Sequence, residues 1–298
     1  MGAYPVVLSK NTPNTVLYKA SNYFLMLVYE SIDTSSDKPI IHFSHANSFP
    51  AASYRQLFEE LSNDFQVIAL AQFGHNPDYP VNRNWDNQVK ELISFVSEKT
   101  NKPVYSVGHS FGGVVAYKAA CMAPTLFSGL LLLDPPLITG NVAWLFRLLK
   151  RTKFIDKVTP SGKSSIRTTS WPLGEDLIRY FSSRTLFSEM PESVIQDYIN
   201  AAIRETDKAY ELSFDAAVET ALFRNIPHDL SRFGGTLKLP ATLVTAERSH
   251  VCKPYLVNAF LKRNVIEHRV FKDVGHLFPL DAPTRSAKFI KGELSKLS

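Results

Sequence analysis

The sequence predicts an α/β fold: a mostly parallel sheet with flanking helices and an inserted helical cap. Three observations predict it. Short apolar runs alternate with amphipathic runs through residues 39–136 and again from 241 onward. A strand–turn–helix junction, Gly108-His109-Ser110-Phe111-Gly112-Gly113, lies within the first stretch. Between 137 and 236 the alternation stops and helical spacing takes over. Short apolar runs flanked by helices belong to strands buried on both faces, hence to a parallel sheet. A helical block inserted between two stretches of one sheet is expected over the strands' carboxyl ends, where such sheets bind ligands. The expected division is a core of 1–136 and 237–298 and a cap of 137–236.

Residues 23–29 and 39–44 read as strands. Residues 51–62 have helical spacing, with Tyr54, Leu57, Phe58 and Leu61 on one face. A strand over 65–71 precedes a helix over 85–98, whose stripe is Val89, Leu92, Ile93 and Val96. Val104, Tyr105 and Val107 form the strand before the junction, and 114–120 the helix after it. Leu130-Leu131-Leu132-Leu133 is a buried strand ending at Asp134-Pro135-Pro136. In the insertion, 144–149, 176–181, 192–203 and 214–223 look helical, punctuated by Pro160, Pro172, Gly174 and Pro191. A strand over 241–246, a helix over 255–263, a strand over 267–271 and a helix from Pro283 close the chain.

The junction carries the chemistry. Gly-x-Ser-x-Gly between strand and helix describes a turn so tight that the residues flanking the serine must lack bulk. Gly108 and Gly112 lie two residues either side of Ser110. Such a turn lifts the hydroxyl out of the sheet and aims a helix N-terminus at it, favouring negative charge there. Ser110 is the expected nucleophile.

A serine hydroxyl needs a base. Of eight histidines, His276 is best placed, in Val274-Gly275-His276-Leu277-Phe278-Pro279 after the last strand. His109 is expected to pack or hydrogen-bond locally, and His45 and His75 to brace turns at the same edge. Attack on a carbonyl also needs donors for the developing oxyanion. The backbone N–H of Phe111 is one, and the N–H of Asn47, in His45-Ala46-Asn47-Ser48-Phe49-Pro50, is the expected second; a plain loop with an Asn turn is the alternative.

Together these residues resemble the α/β-hydrolase superfamily over about 40–136 and 239–291. His45-Ala46-Asn47-Ser48-Phe49-Pro50 is similar to its His-Gly-x-x-x-Pro oxyanion loop, with Ala46 where glycine is usual. Gly74-His75 resembles the turn after its fourth strand. The resemblance implies a third group, an acid, most often after the seventh strand in a Gly-x-x-Asp turn. Here that turn reads Ala246-Glu247-Arg248-Ser249, and a hydroxyl cannot supply the charge that steadies an imidazolium. Two carboxylates remain: Asp134, which ends the strand next to the junction strand in the family's order, and Glu247. A subset of bacterial esterases resembles the present pattern, with an Asp after the sixth strand and a serine in the seventh-strand turn. Asp134 is therefore assigned as the orienting acid, with Glu247 the alternative and Ser249 as a supporting hydrogen bond.

Composition sets the outer bounds. The chain has 298 residues, 45% hydrophobic and 20% charged, with a formal net charge of +5. This fits a globular enzyme and shows no nucleic-acid footprint. Cys121 and Cys252 are flanked by no metal-ligand pattern, and neither a metal nor a cofactor is expected. No apolar run approaches a membrane span and no signal-like N-terminus is seen, so a cytoplasmic enzyme without integral membrane association is expected. The oligomeric state is open.

The insertion begins with Trp144, Leu145, Phe146, Leu148 and Leu149 among Arg147, Lys150, Arg151, Lys153 and Lys157. This reads either as an amphipathic lid meeting an acyl chain or interface, or as a helix packed on the core with a solvated basic face. The leading functional reading is a serine hydrolase that cleaves small carboxylic esters, with an apolar acyl group, through an acyl-serine. A C–C bond hydrolase or lyase using the same three groups, and a catalytically impaired binding protein, are the alternatives.

Overall fold

The computed structural model describes residues 16–18, 26–28, 32–33 and 35–297. In chain order the elements are β1 (Val16–Tyr18), β2 (Met26–Val28), β3 (Ile40–Ser44), α1 (Arg55–Leu61), β4 (Gln66–Ile68) and α2 (Asp86–Lys99). Then come β5 (Val104–His109), α3 (Phe111–Met122) and β6 (Phe127–Leu133). The insertion holds α4 (Asn141–Leu149), α5 (Ile155–Val158), α6 (Ser161–Ser164), β7 (Ser170–Pro172), α7 (Leu177–Ser182), α8 (Glu192–Ala202), β8 (Ile203–Glu205), β9 (Ala209–Leu212) and α9 (Ala216–Arg224). The chain returns through β10 (Ala241–Ala246), α10 (Pro254–Leu261), β11 (Glu267–Phe271), α11 (Phe278–Asp281) and α12 (Pro283–Leu294).

Six strands form one sheet in the order β11-β10-β6-β5-β3-β4, and every pair is parallel. Parallel strands need both faces covered. Every residue of β3, β4 and β10 is accordingly buried, and in β6 only Ser128 is exposed. Helix α3 lies wholly inside from Phe111 to Ala120, which explains why its sequence shows no polar stripe. The expected strand over 23–29 is seen as Met26–Val28, paired antiparallel with β1; the rest of that range lies outside the described residues.

The insertion departs from an all-helical expectation. Between its helices, β7, β9 and β8 form a three-stranded antiparallel sheet. Strands of three or four residues are too short to show period-two alternation, so the sequence gives no signal for them. The helix expected over 192–203 ends at Ala202 because Ile203 starts β8.

Register decides where the sheet delivers its loops. His109 pairs with Leu133, so the next residues, Ser110 and Asp134, leave the sheet side by side. Ser44 pairs with Gly108, so the loop after β3 emerges on the other flank of Ser110.

Candidate active site

Ser110 sits at φ 54°, ψ −117°, between β5 and α3. A non-glycine residue in that region is strained and persists only where its surroundings fix it. The two glycines make the turn possible. A Cβ on Gly108 would stand 2.4 Å from the carbonyl oxygen of Gly112, and one on Gly112 would stand 2.1 Å from that of Ser44. The second clash shows what Gly112 is for: it lets the start of α3 press against the loop after β3. Ser110 N–H donates to the Leu133 carbonyl at 2.8 Å, tying the turn to β6.

The structure brings Ser110, His276 and Asp134 together. Ser110 Oγ lies 2.9 Å from His276 Nε2, and His276 Nδ1 lies 2.6 Å from Asp134 Oδ2. Asp134 is fully buried, itself at positive φ, with its N–H bonded to the Val244 carbonyl at 2.7 Å. Its Oδ1 accepts from Ala246 N–H (3.0 Å) and its Oδ2 from Ser249 Oγ–H (2.5 Å). Burial pushes this carboxyl up, but the bond and charge of His276 and the donors Ser249 and Ala246 outweigh it and hold the group below its ordinary value. Asp134 is therefore an acceptor near neutrality. That fixes the imidazole tautomer: Nδ1–H donates to Asp134, and Nε2 is left to accept the Ser110 hydroxyl proton.

Ser249 thus touches Asp134, and its Oγ also accepts from the N–H groups of Val251 and Cys252, at 3.0 and 3.1 Å. Glu247 is placed differently. It is exposed, its Oε1 takes Lys272 Nζ at 2.7 Å, and its Oε2 takes Asp273 N–H at 3.0 Å.

Phe111 follows Ser110 as the first residue of α3, and Asn47 lies in the loop after β3, which the register delivers to the same edge of the sheet. Neither backbone N–H has an acceptor among the described residues. The Asn47 side chain is occupied: Nδ2 donates to the Glu219 carbonyl (3.0 Å) and Oδ1 accepts Ser48 N–H (3.1 Å). Sequence reasoning missed the groups that brace this loop. Buried Glu219 accepts from Ser48 Oγ–H and from Arg167 Nη1 at 2.8 and 3.0 Å. Arg167 and Glu219 are far apart in the chain and follow no spacing rule.

A second brace runs through Tyr54. Ala46 N–H donates to Tyr54 Oη at 3.1 Å, Tyr54 Oη lies 2.7 Å from His109 Nδ1, and His109 Nε2 lies 2.9 Å from the His276 carbonyl. Burial and the neighbouring His276 push His109 down to about 3, so its imidazole is neutral. With Nε2–H donating to a carbonyl, Nδ1 must accept from the tyrosine hydroxyl. His45 and His75 brace turns: Phe73 N–H donates to His45 Nε2 at 3.1 Å, and Asp215 N–H to His75 Nε2 at 3.0 Å.

The insertion packs on this edge of the core. Phe49 meets Phe187 and Tyr198, with ring centroids 5.9 and 5.4 Å apart. Arg55 Nε and Gln56 Nε2 donate to buried Asp197 of α8 at 2.7 and 2.8 Å. Trp171, Phe181 and Phe187 are buried in the same apolar cluster. Beside His276 an open cleft is lined by Glu189, Glu247, Arg248, Ser249, His250 and Gly275. Among the described residues, no cluster of three or more His, Cys, Asp or Glu side chains is arranged to hold a metal ion.

Comparison with known proteins agrees with this architecture. The chain is 27% identical over 145 residues to a type I acyl-CoA thioesterase of Penicillium brevicompactum, covering 42% of this chain and 34% of that protein. It is 29% identical over 147 residues to a rat (Rattus norvegicus) monoglyceride lipase, covering 44% and 48%. The chain thus spans between a third and half of the length of these curated relatives. A longer match, 22% over 277 residues, is to a monoacylglycerol lipase of Xenopus laevis, covering 90% and 79%. Among solved structures, E-2-(acetamidomethylene)succinate hydrolase superposes with a TM-score of 0.72 at 17% identity, covering 91% of this chain and 96% of that one. The profile of the alpha/beta hydrolase family matches residues 43–289, and with the six-stranded sheet and its flanking helices this places the chain in that family.

Proposed function

We propose that this protein hydrolyses carboxylic esters, with Ser110 as nucleophile, His276 as base and Asp134 as orienting acid. The observation that carries the reading is the unbroken chain Ser110 Oγ–His276 Nε2 (2.9 Å) and His276 Nδ1–Asp134 Oδ2 (2.6 Å). Ser110 Oγ attacks the acyl carbonyl as His276 Nε2 takes its proton, and Asp134 stabilises the imidazolium that forms. The N–H groups of Asn47 and Phe111 hold the oxyanion. The imidazolium then gives its proton to the departing alcohol, and water, activated by the same nitrogen, releases the acid. Residues 137–236 form the cap.

Relatives named as a thioesterase and as lipases support an acyl substrate. Aspartate after β6 supports catalysis over an impaired binding protein, since the acid absent from the β10 turn has a counterpart one strand over. The deciding experiment is labelling with a fluorophosphonate alongside turnover of aryl esters of increasing acyl length. Labelling at Ser110 is expected, and Ser110→Ala should lower ester turnover by about 10⁴-fold or more with the fold intact. A folded Ser110→Ala protein that keeps the parent rate removes the serine from the chemistry. A parent that is labelled yet cleaves no ester points to the C–C hydrolase or lyase reading.

A further inference from the structure

An ordinary surface helix turns its apolar stripe inward. Helix α4 is apolar on both faces. It buries Ala143 and Phe146, while Trp144, Leu145 and Leu148 face solvent, Trp144 at 66% exposure. Trp144 and Leu148 are one turn apart on the outward face, with Arg147 and Arg151 beside them at i+3. Further along the chain Phe154, Val158 and Ile166 are exposed as well, Ile166 at 84%. Of the twelve exposed large apolar side chains among the described residues, six lie in 144–166. The apolar exposure is thus concentrated and not scattered.

Charge is concentrated in the same place. Residues 141–167 hold seven basic side chains and one acidic one; Arg167 is paired with buried Glu219 and Lys150 turns to the Ile226 carbonyl, which leaves five cations at the surface. Arg147, Arg151, Lys153, Lys157 and Lys163 are exposed. The one acid, Asp156, is already matched by Arg224 at 2.7 and 2.9 Å. Exposed tryptophan and aliphatic groups ringed by cations compose an interfacial surface, in which apolar groups enter the headgroup layer and cations meet anionic lipid. A second copy of the chain would bring like charges into contact. No helix among the described residues is long and apolar enough to cross a membrane, so the contact is peripheral.

We infer that the 141–167 surface docks this protein on anionic lipid membranes. The test is flotation with phosphatidylcholine vesicles with and without phosphatidylserine, at low and high salt. The protein should float with the anionic vesicles, lose most of that binding in high salt, and bind phosphatidylcholine alone weakly. Arg147→Glu with Arg151→Glu should lower partition about tenfold or more. Trp144→Ser with Leu148→Ser should lower it by a similar factor while leaving the residual binding salt-sensitive. All four positions are exposed, and thermal melts report that the variants are folded. No flotation, equal flotation on both vesicle types, or variants that bind as the parent does would each overturn the inference. So would light scattering showing an oligomer that the Trp144→Ser, Leu148→Ser protein loses, which would assign the surface to a second copy.

Discussion

At the end of β6, Asp134 is fully buried and receives hydrogen bonds from His276, Ser249 and the Ala246 N–H. One strand over, in the turn after β10, Glu247 is exposed and is met by Lys272 and the Asp273 N–H. Both groups sit below their ordinary carboxylate values, for different reasons. Asp134 does so against a burial penalty that its donors outweigh, while Glu247 is lowered by a surface lysine and one N–H. The difference teaches where a charge acts at full strength. A carboxylate removed from water, with each oxygen satisfied, can orient an imidazole and feel its charge, whereas a solvated one is screened. The β10 turn still supplies two of the donors that hold Asp134, the Ala246 N–H and the Ser249 hydroxyl.

The largest effect that could break this comparison comes from Asp134→Asn, expected to cut ester turnover by about 10⁴-fold because the amide no longer enforces the tautomer. A mild loss there with a severe one from Glu247→Gln would move the acid to β10. In the Asp134→Asn background, Ser249→Asp should recover about tenfold or more, since Ser249 Oγ already lies beside the group that bonds His276. No recovery would show that the β10 turn cannot reach the imidazole. Ser249→Ala alone should cost about tenfold, the worth of one hydrogen bond to a charged group. Glu247→Gln should change turnover by less than about twofold, in keeping with exposed pairs.

A fifth prediction concerns stability. Because the folded value of Asp134 is depressed, its ionised form stabilises the fold above the ordinary carboxylate range, and that contribution is lost as pH falls through the depressed value. Melting temperature measured against pH should therefore fall less steeply on the acid side for Asp134→Asn than for the parent. Parallel acid limbs in the two proteins would contradict it.

The junction around Ser110 is legible in the sequence because backbone crowding there admits only glycine at Gly108 and Gly112. The sheet is legible because a parallel strand must be apolar on both faces, as Leu130-Leu131-Leu132-Leu133 shows. What was not legible depends on distance in the chain. Arg167 and Glu219 brace the Asn47 loop from the insertion, and no local pattern joins them. Tyr54 reads as one more apolar-face residue of a helix, and only its neighbours in space reveal the work of its hydroxyl. Which apolar residues of α4 stay exposed was equally hidden, because the helix is apolar on both faces and the sequence does not say which one the fold covers.

The bonds from Ala46 through Tyr54 and His109 to the His276 carbonyl couple three separate stretches of chain into one unit. Position 109 looks like the free choice within Gly-x-Ser-x-Gly, yet it links the loop after β3 to the loop that carries His276. Evolution or a protein engineer therefore cannot exchange these loops one at a time. A transplanted loop after β3 needs a partner for the Tyr54 hydroxyl, and a new residue at 109 needs a new tether for the loop of His276. The insertion is freer only on its exposed outer face, since its Arg167 and Glu219 hold the Asn47 loop as well.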